Sequence, residues 1–231
     1  MSRLANKVAL VTGASSGLGR AIAIRYAQEG ARVVCADLCS TARSQVPEEL
    51  DMTTHDAIVM GGGEAVFVKT DVGDARDMRN AVEAAAGEFG RLDVVVNNAG
   101  VALEAKRPAK IHLTEEKVWD TTLRVNARSV FLGSSYCASK AAVSNLTRQV
   151  ALDYAGDRIH VNALCPGYTR TAIFEDTTEH MIALQDLQRR HPLKGPGNPE
   201  DVARMAVVLA SEDASWMTGS CVAVDGGYTA R

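Results

Sequence analysis

Residues 7–19 read KVALVTGASSGLG, and the fold class is decided there. Lys7 to Thr12 is a short, valine-rich run of strand length. The amphipathic stretch that follows repeats Leu18, Ile22 and Tyr26 at helical spacing, with Gly30 where a C-terminal cap belongs. Between the two lie Gly13, Gly17 and Gly19, so strand, tight turn and helix is the predicted order. Glycines in such a turn let the backbone approach a pyrophosphate, which rests on the unpaired N–H groups at the start of the helix. A generic βα turn looks much the same, and the spacing GxxxGxG differs from the commoner GxGxxG. Asp37 narrows the choice. It ends the second apolar run, 18 residues after Gly19, where a carboxylate accepts both ribose hydroxyls of an adenosine. That charge repels a 2′-phosphate, and neither Ser16 nor Leu38 is a basic residue that would offset it, so NAD is favoured over NADP. Arg43 is the nearest basic residue.

Working outward, the same strand-length pattern recurs at Ala31 to Ala36, Ala65 to Lys69, Leu92 to Asn97, Ile159 to Leu164 and Ser220 to Val224. Near-continuous β-branched runs predict strands buried on both faces, as in a parallel sheet. Helical patterns fill the intervals at Ala75 to Phe89, Glu115 to Leu132, Tyr136 to Ala155 and Glu200 to Ser211. The alternation predicts an α/β fold, a doubly wound parallel sheet with helices on both faces, in a single domain over residues 1–231. Ser40 to Gly63 reads as a helix with a surface loop. Tyr168 to Pro199 is long and irregular and follows a strand end, the place of a substrate lid. Asp71-Val72, after the third strand, either hydrogen-bonds an adenine amino group or caps the helix that starts near Ala75.

The chain of 231 residues is 46% hydrophobic and 23% charged, with a formal net charge of −3. That composition excludes wholesale disorder, and without a basic stripe it argues against a nucleic-acid partner. No apolar run approaches the ~20 residues that span a bilayer. The N-terminus carries no signal-peptide h-region, so a cytoplasmic protein without a membrane partner is expected. Five cysteines with no CxxC spacing argue against a disulfide framework or a zinc site, and no metal is expected. His55, His112, His160, His180 and His191 are scattered and read as structural or surface residues. Trp119 reads as core; Phe174 and His180 lie in the lid, within reach of a substrate.

Tyr136 and Lys140 stand four apart at the start of a helical stretch and so face one way. A tyrosine near its usual pKa of ~10 is a poor base at neutral pH. A neighbouring ammonium and a positive nicotinamide both favour the phenolate. Tyr136 could then take the hydroxyl proton of an alcohol as hydride leaves, or return it in reduction. On its own such a pair is mostly a surface coincidence.

Taken together, TGASSGLG at 12–19, Asp37, Asp71-Val72, Asn97-Asn98-Ala99-Gly100, Asn126, Tyr136-Cys137-Ala138-Ser139-Lys140 and Pro166-Gly167 resemble the short-chain dehydrogenases/reductases, in that family's order over almost the whole chain. The resemblance implies a Rossmann-like fold and an oxidoreductase acting on CH–OH groups. It makes Tyr136 the acid/base and Lys140 the ligand of the nicotinamide ribose that lowers the Tyr136 pKa. Asn126 would hold a water in a proton relay. Gly13, Ser15, Ser16, Gly17, Leu18, Gly19, Asp37, Leu38, Asp71 and Val72 would bind the cofactor, with Asn97, Ala99 and Gly100 beside the adenosine. From Pro166-Gly167, Thr169 would meet the carboxamide through its backbone, with the Thr171 hydroxyl nearby. Asn97-Asn98 could equally tie strands together, and Asn126 could simply kink its helix. The implied partners are a small alcohol or ketone (polyol, sugar, steroid or simple carbonyl) and a second copy of the chain, as a homodimer or homotetramer built on the helix after Tyr136.

One departure matters. Family members carry a catalytic serine at the end of a strand between the Asn126 helix and Tyr136, but here only nine residues, Ala127 to Ser135, separate the two. A strand with its loops does not fit, because a parallel crossover takes a dozen residues or more. Either the strand was deleted, or the sequence joins two segments across residues it omits; the second is expected, with the junction between 133 and 135. Ser134, Ser135 and Ser139 are not substitutes. Genuine loss of the strand would point instead to a non-catalytic dinucleotide-binding redox sensor or a scaffold subunit.

Overall fold

The computed structural model describes residues 2–42, 47–101, 116–126, 135–171 and 184–230, without the side chains of Glu48, Trp119, residues 135–139 and Leu184. Arg43, His112, Phe174 and His180 therefore lie outside the described residues. The described chain forms two compact units: residues 2–99 with 198–213, and 100–197 with 214–230.

In the first unit, β1 (Val8–Thr12), β2 (Arg32–Asp37), β3 (Ala65–Lys69) and β4 (Val94–Val96) form a parallel sheet in the order β3-β2-β1-β4. The predicted strands thus pair as a parallel sheet, with ends differing by at most two residues. Every residue of β1 is buried, as expected of a strand covered on both faces. On one side Val8, Leu10, Val34 and Ala36 pack against Ala81 and Ala85 of α4 (Ala75–Phe89). Elsewhere α1 (Gly17–Gln28) packs along α8 (Pro199–Ala210), and the buried Tyr26 hydroxyl donates to the Ala206 carbonyl at 3.1 Å. Burial without a compensating cation pushes the Tyr26 pKa above the ordinary tyrosine value. The 40–63 stretch holds two short helices rather than one, α2 (Pro47–Leu50) and α3 (Thr54–Met60), the latter capped by Thr53.

The second unit contains α5 (Glu116–Asn126), α6 (Ser135–Asp153), α7 (Leu184–Arg190) and a separate two-stranded parallel sheet, β5 (Ala163–Pro166) with β6 (Cys221–Val224). Here the expected strand at 159–164 is corrected. Its first four residues are held by other means: the Ile159 N–H bonds the Tyr154 carbonyl, the Val161 N–H bonds Thr218 Oγ1, and the Asn162 amide brackets Met217 and Ser220. The paired strand therefore starts at Ala163. The 168–199 stretch, expected as an irregular lid, contains α7; residues 172–183 lie outside the description.

Burial on both faces fails for β4, where Val95 is 46% exposed. Among the described residues β4 is the last strand of its sheet, so nothing pairs with its outer edge. Its inner edge is secured by a reciprocal pair. The Asp93 N–H donates to the Val8 carbonyl at 2.9 Å, and the Val8 N–H donates to the Asp93 carboxylate at 2.9 Å. Desolvation pushes the Asp93 pKa up, but the hydrogen bond from Arg91, the Val8 N–H and the charges of Arg91 and Lys7 outweigh it and hold the carboxyl below its usual range. A depressed carboxylate stabilises the fold fully above its unfolded pKa of about 3.9 and loses that effect as pH falls through the folded value. Asp93→Asn is therefore expected to cost about 1–2 kcal/mol at pH 7, with the difference from wild type shrinking toward pH 3 in urea unfolding curves.

Candidate active site

The β1–α1 turn is held by one hydroxyl. Thr12 Oγ1, buried, accepts the N–H groups of Asn98 (3.0 Å) and Ala99 (3.1 Å) and donates to the Val96 carbonyl (3.2 Å). The Asn98 amide returns to the carbonyls of Thr12 at 2.9 Å and Gly13 at 3.3 Å. Gly13 has φ +65°, and a Cβ on it would meet Ala99 Cα at 2.9 Å; a Cβ on Gly19 would lie 2.0 Å from the Gly13 carbonyl oxygen. So the 97–100 segment does tie β4 to β1, but through Asn98 and Ala99, while Asn97 stands exposed. Sequence reasoning offered Asn97-Asn98 as a tie between strands but missed Thr12 as the partner of Asn98. The available signal was a hydroxyl residue at a strand end directly before the turn glycine.

Asp37 sits half-buried at the end of β2, with Oδ2 accepting the Ser15 N–H at 3.0 Å and Oδ1 accepting the Leu38 N–H at 2.7 Å. Each oxygen keeps a lone pair, enough for two vicinal hydroxyls. The Ser15 hydroxyl is turned away and donates to the Cys39 carbonyl at 2.6 Å. Behind the turn, buried Arg20 donates to Thr54 Oγ1 at 3.1 Å, and that hydroxyl donates to the Ala14 carbonyl at 2.7 Å. Burial pushes the nearby Cys35 thiol up to about 12; the Arg20 charge opposes this and the Asp37 charge adds to it. The Thr70 N–H donates to the Asp37 carbonyl at 2.7 Å, which brings the ends of β2 and β3 side by side. Of the two readings of Asp71, the helix cap is corrected. Asp74 caps α4 by accepting the Arg76 N–H at 2.8 Å, whereas Asp71 Oδ1 accepts the Gly73 N–H at 2.8 Å in a tight turn one step earlier.

The start of α1 suits an anion. The Gly17 N–H donates to Glu49 Oε1 at 2.9 Å, so a carboxylate oxygen already occupies one of the free donors there. Its other oxygen, Oε2, is buried with no partner among the described residues. Glycine turn, helix N-terminus and Asp37 together fit a dinucleotide.

In the second unit, the Asn126 amide is clamped on a single peptide group: Oδ1 accepts the Val101 N–H at 2.8 Å and Nδ2 donates to the Val101 carbonyl at 2.7 Å. The side chain thus spends its acceptor and a donor on Val101. Asn126 is the last described residue of α5. Tyr136 opens α6; its side chain lies outside the description. Lys140, one turn on, is exposed along the helix, yet crowding around its ammonium removes enough water to hold its pKa below the usual lysine value. After β5, Thr169 is buried and bridges in parallel to Gly197, with the Gly197 N–H on the Tyr168 carbonyl (2.9 Å) and the Arg170 N–H on the Gly197 carbonyl (3.0 Å). In that pattern the N–H and carbonyl of Thr169 itself point to the opposite side. The Thr171 hydroxyl lies 3.4 Å from the Thr169 carbonyl. Among the described residues no group of His, Cys, Asp or Glu could hold a metal ion, and no helix is long and apolar enough to cross a membrane.

Residues 7–135 match the short chain dehydrogenase family, and residues 133–229 match a family described as enoyl-(acyl carrier protein) reductase. The chain belongs to the short-chain dehydrogenases. These are oxidoreductases of CH–OH groups that bind a nicotinamide dinucleotide, on an α/β fold with a parallel sheet. Among its relatives is cis-4-hydroxycyclohexanecarboxylate dehydrogenase of Sinomonas cyclohexanicum, 35% identical over 98% of each chain. Carveol dehydrogenase from Mycobacterium avium, solved in complex with NAD, superposes with a TM-score of 0.87 at 26% identity and full coverage of both chains. A putative NAD(P)-dependent gluconate 5-dehydrogenase from Beutenbergia cavernae, solved with NADP, gives 0.83 at 35% identity over 99% of this chain and 98% of that one.

If Glu49 competes for the anion site of α1, Glu49→Gln should tighten NADH binding by about three- to tenfold in a fluorescence titration, since one negative charge leaves the helix N-terminus.

Proposed function

We propose that this short-chain dehydrogenase uses NAD to interconvert a secondary alcohol and its ketone, with Tyr136 as acid/base. The observation that carries the NAD preference is Asp37, whose carboxylate is fixed by the Ser15 and Leu38 N–H groups at the end of β2 with one lone pair left on each oxygen. A 2′-phosphate would meet that charge, while two ribose hydroxyls would satisfy it. The nicotinamide, when bound, supplies the hydride acceptor or donor. Tyr136 holds the proton of the reacting hydroxyl, and Lys140 lies one helical turn away on α6, where its positive charge favours the phenolate. Asn126 fastens the 101 segment and offers its main-chain carbonyl to a relay water. The Gly13–Gly19 turn, Asp71-Val72, Ala99 and Gly100 serve the adenosine and pyrophosphate; Pro166, Gly167, Thr169 and Thr171 serve the nicotinamide end. The relative that oxidises a hydroxycyclohexane supports a compact secondary alcohol as substrate. Exposed Leu146 and Leu152 on α6 support self-association of a cytoplasmic homodimer or homotetramer through that helix.

A second reading rests on one observation: only nine residues, Ala127 to Ser135, separate Asn126 from Tyr136, too few for the strand that carries the family's serine. The alignment to the Sinomonas enzyme runs over 257 positions although this chain has 231 residues, so roughly thirty positions of the relative face a gap. The two family matches also meet at 133–135. On this reading the 231-residue chain binds the dinucleotide as a sensor or scaffold and turns nothing over.

Two measurements separate the readings. The intact mass of the protein from its source should exceed 24.6 kDa by about 2–4 kDa if the sequence omits a strand with its loops; a mass of 24.6 kDa favours the sensor. In steady-state assays with NAD and a panel of secondary alcohols, Tyr136→Phe should abolish turnover while NADH binding stays within about twofold. Asp37→Ala should weaken NAD and relax the discrimination against NADP by about tenfold or more. Turnover that survives Tyr136→Phe removes the acid/base assignment.

A further inference from the structure

His191 is the one fully buried histidine among the described residues, at 1% exposure, and nothing in the chemistry above uses it. Its two ring nitrogens have partners of opposite kind. Nδ1 lies 2.8 Å from the Leu187 carbonyl oxygen, which only accepts, and Nε2 lies 3.1 Å from the main-chain N–H of Tyr168, which only donates. In that pairing Nε2 is the acceptor of the Tyr168 N–H and Nδ1 faces the Leu187 carbonyl as the donor. It is also wedged between aromatics, 5.7 Å from Tyr168 edge-on and 5.0 Å from Tyr228. Even glycine is needed opposite: a Cβ on Gly167 would lie 2.9 Å from Nε2 and 2.9 Å from Asp225 Cα. The segment Pro166–Thr169 is therefore pinned twice, by His191 at the Tyr168 N–H and by Gly197 across the Thr169 bridge. Both attachments act on the same side of the backbone function, leaving the N–H and carbonyl of Thr169 turned the other way.

We infer that His191 is a positioning residue for this segment, and that through it His191 sets affinity for the nicotinamide end of the dinucleotide. The inference deepens the proposed function, in which Thr169 meets the carboxamide, and rests on it. A residue that only filled space would be replaceable by an apolar ring. His191 also supplies the acceptor for a buried N–H, and without that acceptor Tyr168 must turn toward another partner and carry Thr169 with it.

The test compares two ligands that share the adenosine and pyrophosphate: NAD, and ADP-ribose, which lacks the nicotinamide. Both are titrated by calorimetry into the full-length wild-type chain and into His191→Phe and His191→Gln. Phenylalanine keeps the ring volume without an acceptor, whereas the glutamine amide oxygen reaches close to the Nε2 position. The expected result is about a tenfold loss of NAD affinity in His191→Phe. ADP-ribose should bind that variant within about twofold of wild type, and His191→Gln should recover most of the NAD affinity. Normal ADP-ribose binding shows that the variant is folded. Equal loss of both ligands in His191→Phe, or loss of neither, overturns the positioning role and leaves the proposed function standing. Failure of the wild type to bind either ligand overturns the proposed function and this inference together.

Discussion

At the β1–α1 turn the backbone packs against itself, and that contact governs everything built around the nucleotide end. A single methyl on Gly19 would stand 2.0 Å from the Gly13 carbonyl oxygen, inside any van der Waals limit. With that space kept empty, α1 begins close against the end of β1. Its N–H groups face outward, as the Gly17 bond to the Glu49 carboxylate shows. The same tight turn leaves Ser15 N–H aimed at Asp37, so the carboxylate is oriented by the turn and not by its own rotamer preference. On the other flank the Thr12 hydroxyl collects Asn98 and Ala99, which sets where the chain leaves β4. Turn, carboxylate and β4 exit are one rigid assembly with a shared cause.

The division of the sheet has a different cause. Four parallel strands in the order β3-β2-β1-β4 and two more, β5-β6, make two sheets among the described residues. A parallel sheet gains by burial of each strand on both faces and by pairing both edges. Among the described residues β1 and β2 have that and β4 does not, and Val95, in a run of three valines, is half-exposed. In β6 the pattern is likewise only half-covered, with Cys221 exposed at its start. The meeting of two family matches at 133–135 falls in the interval where the chain has too few residues for another strand. Sequence length and strand exposure point to the same gap.

Much of this was legible in the sequence for stated physical reasons. Valine-rich runs of five or six residues are unambiguous as parallel strands, and the pattern placed β3 and α4 at their observed bounds. The glycine turn and Asp37 were legible because their chemistry restricts them to few residue types. What was not legible depends on contacts between distant residues. Whether Asp71 or Asp74 caps α4 turns on which side chain reaches Arg76, and both are aspartates three apart. Residues 159–162 look like strand but spend hydrogen bonds on Tyr154, Thr218, Met217 and Ser220, and no periodicity records that. His191 is the clearest case. The scattered histidines read as structural or surface, and only the fold decides for His191 by bringing Leu187, Tyr168 and Tyr228 around it.

On the proposed roles, binding and turnover depend on different parts of the sequence, and the short interval between 126 and 135 weighs on them unequally. Every group assigned to the adenosine and pyrophosphate lies in residues 12–100, packed on the four-stranded sheet and away from the junction in sequence. Their geometry is closed by bonds among themselves: Thr12 with Asn98, Ser15 with Asp37, Thr70 with Asp37. The proposed acid/base pair stands differently, because Tyr136 lies at the start of α6, directly after that short interval. Loss of one preorganised polar group at a reacting oxygen costs about 3 kcal/mol of transition-state stabilisation, two to three orders of magnitude in rate. A misplacement of about 1 Å in the remaining groups can add a further two. The groups proposed for the adenosine and pyrophosphate have no comparable exposure to that interval, whereas Lys140, proposed for the nicotinamide ribose, shares it. A chain of this sequence is thus built to retain its cofactor side more faithfully than its chemistry.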